Sequence, residues 1–273
     1  MNSAAASIRF SIAALALTTL AASSGTAREL RIDLADVGVD GRLTIAGLNG
    51  DTLVVGTTES FIVIGSDDFD DEDSRPAPEG MRSLLSNGSD ETGIGFGIKR
   101  EGKNVILTPD RPHQSADYEL RIPMQMSLKL AGVLRGDVEV RKIAGEIEVV
   151  VTEGDVSIED VAGPVVVQAV NGDVNIRFEK YPKGSPSSVN SVNGSVSVTL
   201  PADAAAELEL MTINGDIYTD MPIEVTDRQI SSWGGPRTVK GTLNGGGARL
   251  KINSINDDII LRSPAAGRKS GVE

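Results

Sequence analysis

Residues 134–178 read LRGDVEVRK, IAGEIEVVV, TEGDVSIED, VAGPVVVQA and VNGDVNIRF, five nine-residue units running without interruption from Leu134 to Phe178. Their glycines fall at Gly136, Gly145, Gly154, Gly163 and Gly172. After each glycine, apolar residues alternate with others: Val138 and Val140, Ile147 and Val149, Val156 and Ile158, Val165 and Val167, Val174 and Ile176. Period-two alternation puts each pair on one face of a strand. The residue two before the glycine sits at a strand end, and the glycine supplies the positive φ that a tight corner needs.

Asn-Gly between alternating segments is also a hairpin signal. A meander with this spacing, however, leaves strands of about five residues and two faces to cover. If two units instead make one 18-residue coil, each strand stacks on its equivalent about 4.8 Å away and the apolar pairs fill a continuous interior. The expected fold is therefore all-β: a right-handed parallel β-helix (β-solenoid), a single domain after a signal peptide, with an antiparallel β-sandwich as the alternative.

Moving outward, the signature returns at Val192–Leu200 (VNGSVSVTL), Ile213–Met221 (INGDIYTDM), Leu243–Lys251 (LNGGGARLK) and Ile255–Ser263 (INDDIILRS), and once near the start at Leu48–Asp51. The steps from Gly172 to Gly194 and on to Gly215 predict one full coil each, with an enlarged corner. Residues 179–188 (EKYPKGSPSS) read as a protruding loop, and so do 222–236, bounded by Pro222 and Pro236. Upstream, Leu30, Ile32, Leu34, Leu43 and Ile45 read as first strands capping the solenoid's end. Alternation stops over about 65–93, where Asp67, Asp68, Asp70, Asp71, Glu72 and Asp73 cluster. That segment lacks EF-hand spacing, and a solvated loop is the preferred reading over a Ca²⁺ site.

Residues 1–27, with Arg9 and the apolar run Phe10–Ala22, read as a signal peptide; the run is short of the roughly 20 residues that span a bilayer. The solenoid domain is 28–273, with no transmembrane segment expected in the mature chain. Cysteine is absent, which removes disulfides, thiol nucleophiles and cysteine-ligated metals. The net charge of −13 repels nucleic acid and anionic lipid. Eight Phe and Tyr and one Trp in the whole chain suit a thin core of stacked aliphatics.

Repeated x-N-G-D-[VI]-x-[VI] units behind a signal peptide resemble the bacterial "putative adhesin" family of β-strand-repeat envelope proteins, a domain of unknown function. The resemblance covers Leu128 to Leu261 and, more loosely, the N-terminal third. It implies a β-helical envelope protein with no established catalysis. Pro164 in place of the acidic residue and the missing Asn in the first four units depart from the pattern.

Asp137, Asp155 and Asp173 recur every 18 residues and so form a vertical ladder in an 18-residue coil. Like charges at strand spacing need a cation or backbone N–H groups to offset them. Bonding to corner N–H groups is preferred over Ca²⁺, because the nonapeptide calcium rolls use G-G-x-G-x-D. The pairs Glu139 with Glu148 and Asp155 with Asp173 invite comparison with polysaccharide-cleaving β-helices, but their placement follows a folding rule. His113 is the lone histidine, which excludes multi-histidine metal sites. Arg135-Gly136-Asp137 fills an ordinary corner. Trp233, in a glycine-flanked loop, is an aromatic for a sugar or partner to stack on, or folds back over the solenoid. No catalytic, cofactor-binding or metal residue is assigned and no cofactor is expected. The expected function is a non-enzymatic exported envelope protein, periplasmic by preference over the cell surface or secretion, presenting its surface for adhesion or for binding a partner protein or glycan. The alternatives are a polysaccharide-acting enzyme or a structural envelope component.

Overall fold

The computed structural model describes residues 28–35, 37–66, 95–109, 115–230 and 235–264; residues 1–27, expected to be a signal peptide, the acidic segment beyond Ser66, His113 and Trp233 lie outside them. Among the described residues there is no helix. The strands begin with β1 (Arg28–Asp33), β2 (Arg42–Ala46), β3 (Thr52–Thr57), β4 (Phe61–Ser66), β5 (Phe96–Glu101), β6 (Asn104–Pro109) and β7 (Tyr118–Pro123). The repeat region supplies β8 (Ser127–Arg135), β9 (Val138–Arg141), β10 (Ile147–Glu153), β11 (Val156–Val161), β12 (Val165–Asn171), β13 (Val174–Phe178), β14 (Ser187–Asn193) and β15 (Val196–Thr199). Last come β16 (Ala206–Thr212), β17 (Ile217–Thr219), β18 (Glu224–Ile230), β19 (Arg237–Leu243), β20 (Ala248–Ser254) and β21 (Ile259–Arg262).

Two units do make one coil. Successive strands alternate between sheet A, which contains β9-β11-β13-β15, and sheet B, which contains β8-β10-β12-β14, and each pairs in parallel with its equivalent one coil away. Register then stacks like on like: Val138, Val156, Val174, Val196 and Ile259 form one fully buried column, and Val140, Ile158, Ile176, Val198 and Leu261 the next. Each buried aliphatic contributes about 1.5–3 kcal/mol relative to exposure. The intervening residues of β9, β13 and β15 face outward. Antiparallel pairing, the basis of the sandwich alternative, is confined to the two ends of the stack.

The two corners of a coil are built differently. Gly50, Gly136, Gly154, Gly172 and Gly194 form one stack with φ between 118° and 139°, as the sequence predicts. At the other corner Gly145 and Gly163 do not have positive φ; Lys142 (58°) and Asp160 (56°) take the left-handed turn instead. Glycine is required there for space, since a Cβ on Gly163 would lie 1.9 Å from the Gly145 carbonyl oxygen.

The ends correct the expectation of a simple sequential stack. The coil β2–β3 is flanked on one side by β8–β9 and on the other by β6–β7, so it is interior, and β1, β4 and β5 close the end. At the far end, the step from Gly194 to Gly215 does not climb one coil. Coil β20–β21 lies between β14–β15 and β16–β17, parallel to both, and Gly215 packs on Asp257 rather than on Gly194. A strand in that slot pairs both of its backbone edges, whereas a terminal one pairs a single edge. Leu243–Lys251 is accordingly not a repeat corner: Asn244, Gly245 and Gly246, all with positive φ, carry the chain across the start of β16, and the Asn244 side chain donates to the Ala202 and Ala204 carbonyls.

Both predicted loops shrink. In 179–188, Tyr181 and Pro182 are buried, the Tyr181 ring lies edge-on to Phe178, and Ser187 already opens β14, leaving Lys183–Pro186 to project. Of 222–236, Glu224–Ile230 forms β18, which pairs antiparallel with β19 and extends sheet B beyond β16. The predicted acidic loop begins within β4, whose last residues are Gly65 and Ser66.

Candidate functional site

The repeat generates three vertical arrays, and their bonding separates architecture from available chemistry. In the first, Asp51 accepts the N–H of Asp137 at 2.8 Å, Asp137 that of Asp155 at 2.8 Å, Asp155 that of Asp173 at 2.7 Å, and Asp173 that of Ser195 at 2.7 Å. These carboxylates cap corner backbone, as preferred from the sequence. Among the described residues no group of three or more His, Cys, Asp or Glu is placed to hold a metal.

Beside this runs an amide ladder the sequence reading missed. Asn193 donates to Asn171 (2.7 Å), Asn256 to Asn193 (2.5 Å) and Asn214 to Asn256 (2.8 Å). The residue before each is Val170, Val192, Ile255 or Ile213; these aliphatics point outward, and all but Val192 are exposed.

The carboxylate pairs considered for catalysis are not brought together. Glu139 lies on the outer face of sheet A, paired with Arg141, while Glu148 lies on the outer face of sheet B, 2.8 Å from Lys129. Asp155 and Asp173 are bonded into the corner ladder. Arg135 pairs with Glu153, so the Arg-Gly-Asp tripeptide is part of the corner framework.

The third array, on the outer face of sheet A, is different. Parallel register aligns Ser157, Asn175, Ser197, Ile260 and Tyr218 in one row, and Glu159, Arg177, Thr199 and Arg262 in the next. Small side chains between larger neighbours leave a shallow trough of about 370 Å³ over β11, β13, β15 and β21. Arg177 is held by Glu159 at 3.3 Å and Asp160 at 2.9 Å. Arg262 is exposed, and its guanidinium forms no ion pair or hydrogen bond with a described residue. Asp220, which feels its charge, has both oxygens engaged by Ser263; the Ser263 N–H and hydroxyl hold its carboxyl below the usual carboxylate range. Tyr218 is 52% exposed at the end of the first row. The trough thus offers hydroxyl and amide groups and a guanidinium with no ion-pair partner among the described residues, and the exposed Tyr218 ring lies beyond its lining at the end of the first row.

A second groove of about 600 Å³ opens between the 183–186 projection and the Gly247 crossing, with Pro186, Ala205 and Ala248 as an apolar floor and Lys183, Glu207 and Arg249 at its rim. It lies at the loop predicted to protrude, and no aromatic lines it.

Residues 133–262 match the Toastrack DUF4097 family model. The match agrees with the resemblance read from the repeat units. It places every strand of the trough within the Toastrack region, and leaves β1–β7, with the closed end they build, outside it. The chain is similar in shape to a "putative cell adhesion protein" from Clostridium sporogenes, with a TM-score of 0.48 at 10% identity, over 88% of this chain and 100% of that one. It is similar also to a "putative adhesin" from Bacteroides fragilis, with a TM-score of 0.40 at 13% identity, over 88% and 99%. No curated protein matches the sequence.

The Toastrack trough was readable in part. Writing the units under one another gives Ser157, Asn175 and Ser197 in one column. The sequence does not show that Ile260 and then Tyr218 continue that column, because the coil order is not the chain order.

Proposed function

We propose that this protein is a non-catalytic, exported envelope protein whose sheet A face holds a glycan. The observation that carries the reading is the register that places Ser157, Asn175 and Ser197 in line with the exposed Tyr218. Hydroxyl and amide groups repeated at strand spacing, about 4.8 Å, face a polymer with regularly repeated hydroxyls, and a ring at the end offers a stacking surface. The carboxylates Glu139, Glu159 and Asp160 are paired with Arg141 and Arg177, which supports retention rather than cleavage. The leader at 1–27 supports export, with the periplasm as destination. The coil is taken as right-handed, the hand that parallel crossovers strongly favour.

The test is a glycan array probed with the mature protein and with Asn175→Arg/Ser197→Arg, which fills the trough from two outward-facing positions. Binding by the native protein that the double variant loses, with an unchanged melting temperature, supports the reading. Equal binding by both proteins, or none by either, overturns it.

A further inference from the structure

Resting on that reading, we infer that the ligand is an acidic glycan, one bearing carboxylates, whose anionic group docks on Arg262 and one of whose rings stacks on Tyr218.

Sheet A's outer face carries Arg31, which stacks on Phe61 at the closed end, and Arg121, Arg141, Arg177 and Arg262. Arg121 is matched by Glu29, Arg141 by Glu139, and Arg177 by Glu159 and Asp160, whereas Arg262 has no ion-pair partner among the described residues. It faces the same trough as Thr199 and Arg177, directly across from Thr199 in the neighbouring strand. A guanidinium presents a planar fork that takes a carboxylate through two parallel hydrogen bonds, and such charge-assisted bonds are roughly twice as strong as neutral ones. Asp220, which feels this charge, is bonded to Ser263 at 2.7 and 2.9 Å and lies beyond ion-pair distance of Arg262, so it does not take up the guanidinium fork.

The chain's net charge of −13 opposes an anionic ligand at long range. At physiological ionic strength fields between exposed charges decay over about 8 Å, so a ligand seated on Arg262 responds to that guanidinium and to the paired groups beside it, not to charge spread over the molecule. Arg177 lies two strands from Arg262, about 10 Å away along the sheet, with Thr199 between them. A second carboxylate further along the chain meets Arg177, whose ion pairs are solvent-exposed and exchangeable. On the other side of Arg262, in the adjoining row, Ile260 and Tyr218 supply an apolar platform for the face of a sugar ring.

The experiment is calorimetric titration of the mature protein, and of its Arg262→Gln and Tyr218→Ala variants, with tetragalacturonate and with neutral cellotetraose. Both substitutions are at exposed strand positions, and thermal unfolding checks that each variant is folded. The expected result is tetragalacturonate binding at least about tenfold tighter than cellotetraose, a preference that Arg262→Gln abolishes by weakening the uronate by a larger factor than cellotetraose. Tyr218→Ala weakens both ligands by a similar factor. Raising the salt from low to high concentration weakens the uronate alone. Equal affinity for the two ligands, or a uronate preference that survives Arg262→Gln, overturns this inference while leaving glycan binding on the face intact. Absence of binding by the native protein to either ligand and to every glycan on the array overturns both.

Discussion

The Asp155 carboxylate accepts the backbone N–H of Asp173, 18 residues on and one coil along, at 2.7 Å. The same bond recurs from Asp51 through Asp173, so each coil's corner is fastened to the next by a side chain. Replacing Asp155 with Ala leaves the Asp173 N–H to solvent and is expected to cost about 0.5–1.5 kcal/mol in urea unfolding. Asp155→Asn keeps the acceptor oxygen and removes a like charge, so it is expected to cost less than half as much. Equal losses in the two variants would mean that the charge, not the acceptor, matters there.

Glycine is required in the stacked corner for two reasons that coincide at Gly172, with φ of 139° and a Cβ position 2.0 Å from the Gly154 carbonyl oxygen. Gly184, in the projecting loop, has φ of 87° and nothing within 4 Å of that position. Gly184→Ala is expected to cost about 1–2 kcal/mol, the left-handed backbone penalty alone. Gly172→Ala is expected to exceed about 3 kcal/mol, because backbone must move in two coils. Denaturant midpoints of the two variants measure the contrast; similar midpoints would contradict the close stacking.

The inserted coil makes a prediction about distance. Ser197 and Ile260 are direct neighbours across β15 and β21, whereas Tyr218 is two strands from Ser197. Strand spacing puts those pairs about 5 and 10 Å apart. In this cysteine-free chain, Ser197→Cys/Ile260→Cys is expected to close a disulfide under mild oxidation, and Ser197→Cys/Tyr218→Cys is not, since bridged Cα atoms lie within about 7 Å. The opposite pattern would restore the sequential stack.

How far the fold was legible follows from the same residues. Between Leu134 and Phe178 the chain rises one coil per 18 residues, so spacing in sequence equals spacing in space, and strands, corners and the aspartate ladder could all be read. Beyond Gly194 that equality fails. Gly215 stands two levels away, and the intervening level is filled from Ala248–Arg262, a contact with no signature in local pattern because both neighbours present the same alternating edge. The trough crosses this break, so only its Ser157–Ser197 part was visible as a column. Arg262 and Tyr218 join it only through the insertion.

Tyr181 is buried against Phe178, and its hydroxyl donates to the Ala248 carbonyl at 3.4 Å. Burial pushes its phenol pKa up, and burial also raises that of Tyr118. A group whose folded pKa is raised contributes stability that is complete below its unfolded pKa, here about 10, and lost as the pH climbs above it. Thermal stability is therefore expected to decline above about pH 10, and less steeply in Tyr181→Phe. An identical decline in native protein and variant would show that Tyr181 ionises as freely folded as unfolded.

The claim that the sheet A face is the binding surface is tested most directly by amide chemical-shift mapping of the mature protein as tetragalacturonate is added. The expected perturbations are confined to Ser157, Asn175, Ser197, Tyr218, Arg262 and their strand neighbours. Shifts centred instead on Lys183, Glu207 and Arg249 would move the site to the other groove and contradict the account.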